Sequence, residues 1–282
     1  MYNRTYSAAD RPGDEMWGQL VKVLLVDPYY LAGNSPPSWV LGQMETILLR
    51  AGHEVEVSDF CDSLSRFDTL QDFRKRENQF VDEVVAAGGR ADIVYITTSF
   101  GIPQKPTPIF ARVRRIVDGL NEAASGVPVV VGGAQIEYLT VHDTNPGTIL
   151  QCPNIVAFAC SDEAFPAYLN RSHSLLLTSS GKDNVWLRGD QGSFMLASLP
   201  PSTTEAWPVP TTWRSWHENR YPRYRAVLTS IGCRYGCTFC FESNKPSGRS
   251  DSLIHSRHIS RWECGTLRSR TRQCSAPIER SV

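Results

Sequence analysis

The first 170 residues alternate between two apolar periods. VKVLLVD (21–27) is an unbroken apolar run of strand length, the pattern of a strand buried on both faces of a parallel sheet. After the turn-rich stretch DPYYLAGNSPPS, the segment WVLGQMETILLRAG places Val40, Met44, Ile47 and Leu48 at helical spacing and stops at Gly52. EVEVSDF (54–60) alternates as a second strand, and 71–87 reads as a charged amphipathic helix ending at Gly88-Gly89. ADIVYITTSF (91–100) is a third strand that closes on hydroxyl residues. PTPIFARVRRIVDGLNEAA is a third helix, with Pro106 or Pro108 near its first turn. VPVVVGG (127–133) is a fourth strand ending in a glycine pair, and NIVAFACSDEAFPAYL supplies a short strand, a turn and a helix.

Strands separated by helices of this length predict right-handed crossovers and an α/β fold, a doubly wound, Rossmann-like parallel sheet. Ligands of such sheets bind outside the carboxyl ends of the strands, where the strand order reverses. Here those ends are Asp27-Pro28, Thr97–Ser99, Gly132-Gly133 and Ser161-Asp162-Glu163. The character changes after 172: 175–199 reads as a small hairpin around Gly181, Gly189 and Gly192, and LPPSTTEAWPVPTTW as an extended linker. The boundaries expected are an extension at 1–19, an α/β domain at 20–172, hairpin and linker at 173–220, and a second domain from 221.

Composition changes this picture little. Of 282 residues 41% are apolar and 21% charged, an ordinary globular balance. Lys+Arg and Asp+Glu are 29 each, so no basic excess points to nucleic acid or an anionic membrane. No apolar run reaches the ~18–20 residues of a membrane span, and the first 18 residues lack the apolar core of a secretory leader. A cytoplasmic protein is the expectation. Eight cysteines in such a chain call for an explanation other than disulfides. Cys61, Cys152 and Cys160 read as small buried apolar residues, and His53 as a solvated turn residue.

The chemistry concentrates in YRAVLTSIGCRYGCTFCFES (224–243), where Cys233, Cys237 and Cys240 follow a strand and a turn at Gly232. Three thiolates in one short loop can each hold one iron of a 4Fe-4S cluster, leaving the fourth iron open. Gly232 and Gly236 let backbone N–H groups approach the cluster sulfurs, and Phe239 offers a flat face beside the open iron. Structural zinc would need a fourth ligand from Cys264, Cys274, His255 or His258, all far along an unpatterned tail. Dithiol redox chemistry at Cys237 and Cys240 would have no use for Cys233.

The stretch TSIGCRYGCTFC (229–240), with C-x3-C-x2-C and an aromatic before the last cysteine, resembles the radical S-adenosylmethionine signature. Upstream, AGHEVEVSDF, ADIVYITTSF, VPVVVGGAQIEYL and SDEAFPAYL resemble the cobalamin-binding domain of the cobalamin-dependent radical subclass, so the likeness covers about residues 20–245. It implies a cobalamin domain followed by a radical S-adenosylmethionine partial βα barrel. It also implies a 4Fe-4S cluster on Cys233, Cys237 and Cys240, with S-adenosylmethionine chelating the open iron beside Phe239. Thr97, Thr98, Ser99, Gly132 and Gly133 would line the corrin and nucleotide-tail pocket. The implied reaction is methyl transfer to an unactivated carbon of a small natural-product precursor, of the aminoglycoside type in antibiotic biosynthesis, with a flavodoxin- or ferredoxin-type electron donor. A radical rearrangement and a non-catalytic cobalamin module are the alternatives.

Two departures stand out. The D-x-H-x-x-G loop that supplies a lower cobalt ligand in classical cobalamin domains reads DPYYLAG here, without histidine, and the later G-E-G-E turn appears as SDEA, keeping Glu163. The stretch 251–282 holds six Arg and six Ser and neither apolar period. It reads as a frameshifted or prematurely ended version of a longer parent, with a genuine short protein ending in a disordered basic tail as the alternative.

Overall fold

In the computed structural model the described residues are 20–28, 39–60, 70–98, 107–123, 126–162, 164–169, 184–189 and 192–198. The chain divides into two units, Met1–Arg225 and Ala226–Val282, and every described residue belongs to the first. The C-x3-C-x2-C loop, Phe239, the implied barrel and the tail therefore lie outside the described residues, as do Cys61, Ser99 and Glu163.

The strands β1 (Lys22–Asp27), β2 (Glu54–Asp59), β3 (Ile93–Thr97), β4 (Val129–Gly132) and β5 (Ile155–Ala159) are parallel neighbours in the order 2-1-3-4-5. Two further strands, β6 (Asn184–Arg188) and β7 (Phe194–Ser198), extend the same sheet antiparallel beyond β5. The hairpin expected within 173–220 thus continues the sheet rather than standing apart from it. The reason is burial: Val185, Leu187 and Ala197 point into the core that also holds Ala157 and Ala159, while Phe158 and Phe194 meet edge to face at 4.7 Å on the other side.

Helices cover both faces. The helices α2 (Leu70–Gly88), α3 (Thr107–Glu122) and α4 (Ala134–Val141) pack Phe80, Val84, Val113, Ile116, Val117, Leu120, Ile136 and Leu139 against Leu24, Val26, Val94, Ile96, Val129 and Val131. On the other face, α1 (Trp39–Arg50) and α5 (Ala164–Leu169) bring Leu41, Met44, Leu48, Phe165 and Leu169 onto Val23, Leu25, Ile93, Tyr95 and Val130. Even and odd positions of β1 and β3 are both apolar because each faces a covered side. Each large aliphatic side chain so removed from water contributes ~1.5–3 kcal/mol.

Two local expectations change. His53 is buried, not solvated, because it is the corner between α1 and β2: its N–H donates to Leu48 O at 3.0 Å and its Nδ1 accepts from Val21 N–H at 3.4 Å. The helix α4 goes unnoticed in the sequence because it is one of the shorter helices and its apolar residues spread around its circumference.

Candidate functional site

The 2-1-3-4-5 order places the reversal between β1 and β3: the chain leaves β1 toward α1 on one face and β3 toward α3 on the other. The crevice of a doubly wound sheet opens at such a point, outside the carboxyl ends. Along this rim stand Asp59 of β2, Asp27 of β1, Thr97 and Thr98 of β3, Gly132 and Gly133 of β4, and Ser161-Asp162 after β5. Register holds these ends level, pairing Asp27 with Asp59 and Thr97 with Gly132.

On the α1 side of the rim, Asp162 collects hydroxyl donors from β3. Tyr95 Oη and Thr97 Oγ1 each donate to Asp162 Oδ1 at 2.7 Å, and all three residues are buried. Tyr95 also stacks on Phe165 with ring centroids 4.3 Å apart. The ring reaches Asp162 by passing over Gly132, where a Cβ would overlap the Tyr95 hydroxyl and lie 2.9 Å from the Cβ of Ala159. Gly132 is therefore a packing requirement of the rim. Its carbonyl accepts twice from Thr98, from the backbone N–H and from Oγ1, both at 2.6 Å. Gly133 then turns the chain into α4 at φ 98 and ψ −169, a backbone region open essentially to glycine alone.

On the α3 side an arginine braces the start of the loop after β1. Arg112 donates through Nη1 to the carbonyl of Pro28 and through Nε to Glu77 Oε1 at 2.6 Å, with its guanidinium 5.0 Å from the Phe60 ring centre and 5.8 Å from that of Phe73. Glu77 also meets Arg115 at 3.2 Å. A planar fork that stacks on rings while pairing with a carboxylate is a task lysine cannot reproduce.

The amide of Gln135, in the first turn of α4, is 1% exposed, and neither its Oε1 nor its Nε2 has a hydrogen-bonding partner. Side chains on a helix lean toward its N-terminus, and α4 starts one residue after β4 ends. The Cα–Cβ bond of Gln135 is therefore tilted toward the carboxyl rim.

The opposite, amino edge carries a groove of about 330 Å³ lined by Arg114, Asp118, Thr148, Gln151 and Cys152. Its thiol is a poor nucleophile: burial first, then the hydrogen bond to Asp118 at 3.1 Å, push Cys152 up to about 11. Burial likewise pushes Cys160 up to about 12, with its sulfur 3.4 Å from Thr140 Oγ1. Both cysteines are free and buried.

Of the residues expected to line a pocket, Thr97, Thr98, Gly132 and Gly133 stand together on two paired strands, with both threonine hydroxyls turned to internal partners. The remaining ones, Ser99, Phe239, Cys233, Cys237 and Cys240, lie outside the described residues. Tyr95 and Gln135 are not among the residues expected from the sequence. Tyr95 carries a signal, being the sole aromatic in the run IVYI that leads to Thr97, whereas nothing local marks Gln135 as unpaired.

Among the described residues no group of three or more His, Cys, Asp or Glu side chains is arranged to hold a metal ion, and no helix is long and apolar enough to cross a membrane. No family model matches the chain, and no curated protein matches it. Among solved structures it is similar to the radical S-adenosylmethionine methyltransferase TsrM from Kitasatospora setae. The form with tryptophan substrate and the S-adenosylmethionine analogue aza-SAM is 18% identical, covering 79% of this chain and 41% of that one at a TM-score of 0.46. The form with cobalamin and a [4Fe-4S] cluster is 19% identical, covering 80% and 42% at a TM-score of 0.47. The chain thus spans about two fifths of the length of the solved structures it resembles.

Proposed function

We propose that this chain belongs to a cobalamin-dependent radical S-adenosylmethionine methyltransferase, with its α/β unit as the corrinoid-binding part and Cys233, Cys237 and Cys240 as the ligands of a 4Fe-4S cluster. The observation that carries the reading is the C-x3-C-x2-C loop, with an aromatic before its last cysteine, following an α/β sheet. The donor set fits: three thiolates serve three irons and leave the fourth for the amino and carboxylate groups of S-adenosylmethionine. The rim fits a corrinoid as well, since Gly133 takes a backbone conformation that excludes a side chain and Gln135 holds an unpaired buried amide beside it, whereas the space over Gly132 is filled by Tyr95 and Ala159.

Bound together, the cluster, S-adenosylmethionine and the corrinoid supply one-electron cleavage chemistry and carriage of a methyl group. The chain's own work is to hold and to shield. The thiolates would hold the cluster, Phe239 would offer an aromatic face to it, and the Tyr95–Thr97–Asp162 network ties the end of β3 to the turn after β5. Arg112 secures the first residue after β1. No histidine of the DPYYLAG loop is available as a lower cobalt ligand. A small natural-product precursor of the aminoglycoside class is the proposed substrate, and a flavodoxin- or ferredoxin-type protein the proposed electron donor, in the cytoplasm.

The test is anaerobic reconstitution of the full chain with iron, sulfide and hydroxocobalamin, followed by reduction with S-adenosylmethionine present. Expected are a 4Fe-4S Mössbauer signature and formation of 5′-deoxyadenosine. Replacing Cys233, Cys237 and Cys240 by alanine should abolish both while leaving corrinoid binding intact. Corrinoid binding without cluster assembly in the wild-type chain would leave a non-catalytic cobalamin module; zinc at the cysteine loop would sink the radical reading.

A further inference from the structure

Asn154 and Gln135 are the two described amides with both polar atoms buried and unpartnered. They occupy opposite edges of the sheet. Asn154 immediately precedes β5, on the amino edge, where its carbonyl accepts from Val129 N–H at 2.8 Å. Gln135 follows Gly132-Gly133 on the carboxyl edge, in the first turn of α4. A buried amide with no partner costs ~1–3 kcal/mol, and an apolar residue of similar shape would remove that cost. The two other buried residues of α4, Ile136 and Leu139, are such residues, and they pack in the core between α4 and the sheet. Gln135 lies on the flank of that buried stripe, with its Cα–Cβ bond tilted toward the rim.

Its chemistry narrows what it can meet. An anion would satisfy Nε2 and leave Oε1 unpaired, and a metal ion would do the reverse. A carboxamide satisfies both in one reciprocal pair, its N–H donating to Oε1 and its carbonyl accepting from Nε2 at matching spacing, whereas a sugar hydroxyl would have to serve both atoms from a single oxygen. The periphery of a corrin ring carries carboxamides, whereas the nucleotide tail presents a phosphate and a sugar. Resting on the corrinoid reading above, we infer that Gln135 is the residue that positions the bound corrinoid by pairing its side-chain amide with a ring-borne carboxamide at the start of α4.

The inference opposes stability to affinity at one residue, and the full-length chain can report both. The ligand-free Gln135→Met variant should melt higher than wild type, because it replaces an unpaired buried amide by an apolar side chain of similar length. The same variant should bind hydroxocobalamin at least tenfold more weakly, about 1.4 kcal/mol. Cobinamide, which keeps the ring carboxamides and lacks the nucleotide tail, should lose affinity by the same factor. Asn154→Leu, at the other edge, should change neither affinity. Unchanged corrinoid affinity in Gln135→Met, as when internal water alone occupies the amide, overturns the inference and leaves the function standing. A loss confined to hydroxocobalamin moves the contact to the tail and overturns it too. Failure of the wild-type chain to bind either corrinoid sinks the functional reading instead.

Discussion

Replacing Gly132 by alanine tests whether the rim of β3 and β4 is built as described. The added Cβ would overlap the Tyr95 hydroxyl and press within 2.9 Å of both Tyr95 Cε2 and the Cβ of Ala159. The Ala159 contact cannot yield, because both Cβ positions are fixed by paired strand backbones. Tyr95 must move, yet its ring is fully buried and stacked on Phe165. Overpacking of this kind costs ~1–3 kcal/mol, and taking the phenol from Asp162 removes a buried donor worth a further ~1–3 kcal/mol. A loss of about 3 kcal/mol is expected, read by urea denaturation of the full chain with far-ultraviolet circular dichroism as a lower midpoint at constant m. Tyr95→Phe alone should cost about 1–2 kcal/mol, for the donor only. With the hydroxyl already gone, Gly132→Ala loses its worst overlap, so the double variant should be more stable than the sum of the singles by ~1 kcal/mol or more. A single variant within ~0.5 kcal/mol of wild type, the usual range of inconsequential substitutions, or a strictly additive cycle would refute the reasoning.

Other consequences follow from the same contacts. Gly133→Ala should lower stability by ~1–3 kcal/mol in the same denaturation assay, because φ 98 with ψ −169 excludes a side chain. Arg112→Met should cost about 2 kcal/mol, since Arg112 and Glu77 are only 14% and 18% exposed and Glu77 would lose its nearer cation; Arg112→Lys should recover only part, as a point charge cannot stack and fork together. The buried thiols make stability fall at alkaline pH. Their folded values of about 11 and about 12 lie above the unfolded value of 9.0, so the unfolded chain gives up its thiol protons first. Their contribution is complete below pH 9 and declines as pH rises toward 11, by up to ~1.4 kcal/mol per pH unit for each thiol; stability curves should show a Cys152→Ala/Cys160→Ala variant losing less over that interval than wild type. Asp118→Asn should bring the Cys152 thiol down, since the negative charge beside it disappears while burial and a neutral acceptor stay, and pH-resolved alkylation mapped by mass spectrometry would detect it.

Elements whose neighbours are covered on every side can be read directly from the order of residues. β1, β3 and β4 are legible as apolar runs of strand length because both faces of a central parallel strand meet apolar helices, and α3 because one stripe of its circumference meets the sheet. The cysteine loop, too, is written in spacing alone. The rest emerges with the folded sheet. It set the strand order, placed β6 and β7 on the edge beyond β5, buried His53 at the corner of α1 and β2, and revealed α4, whose pattern is too short and too evenly spread to read. It also brought Thr97 to Asp162 across 65 positions of chain and left Gln135 without a partner. The physical reason is range: the period of an element is set by which of its own faces meets water, and neighbouring residues record it. A hydrogen bond across strands, or the lack of one, depends on groups brought together only when the whole sheet closes.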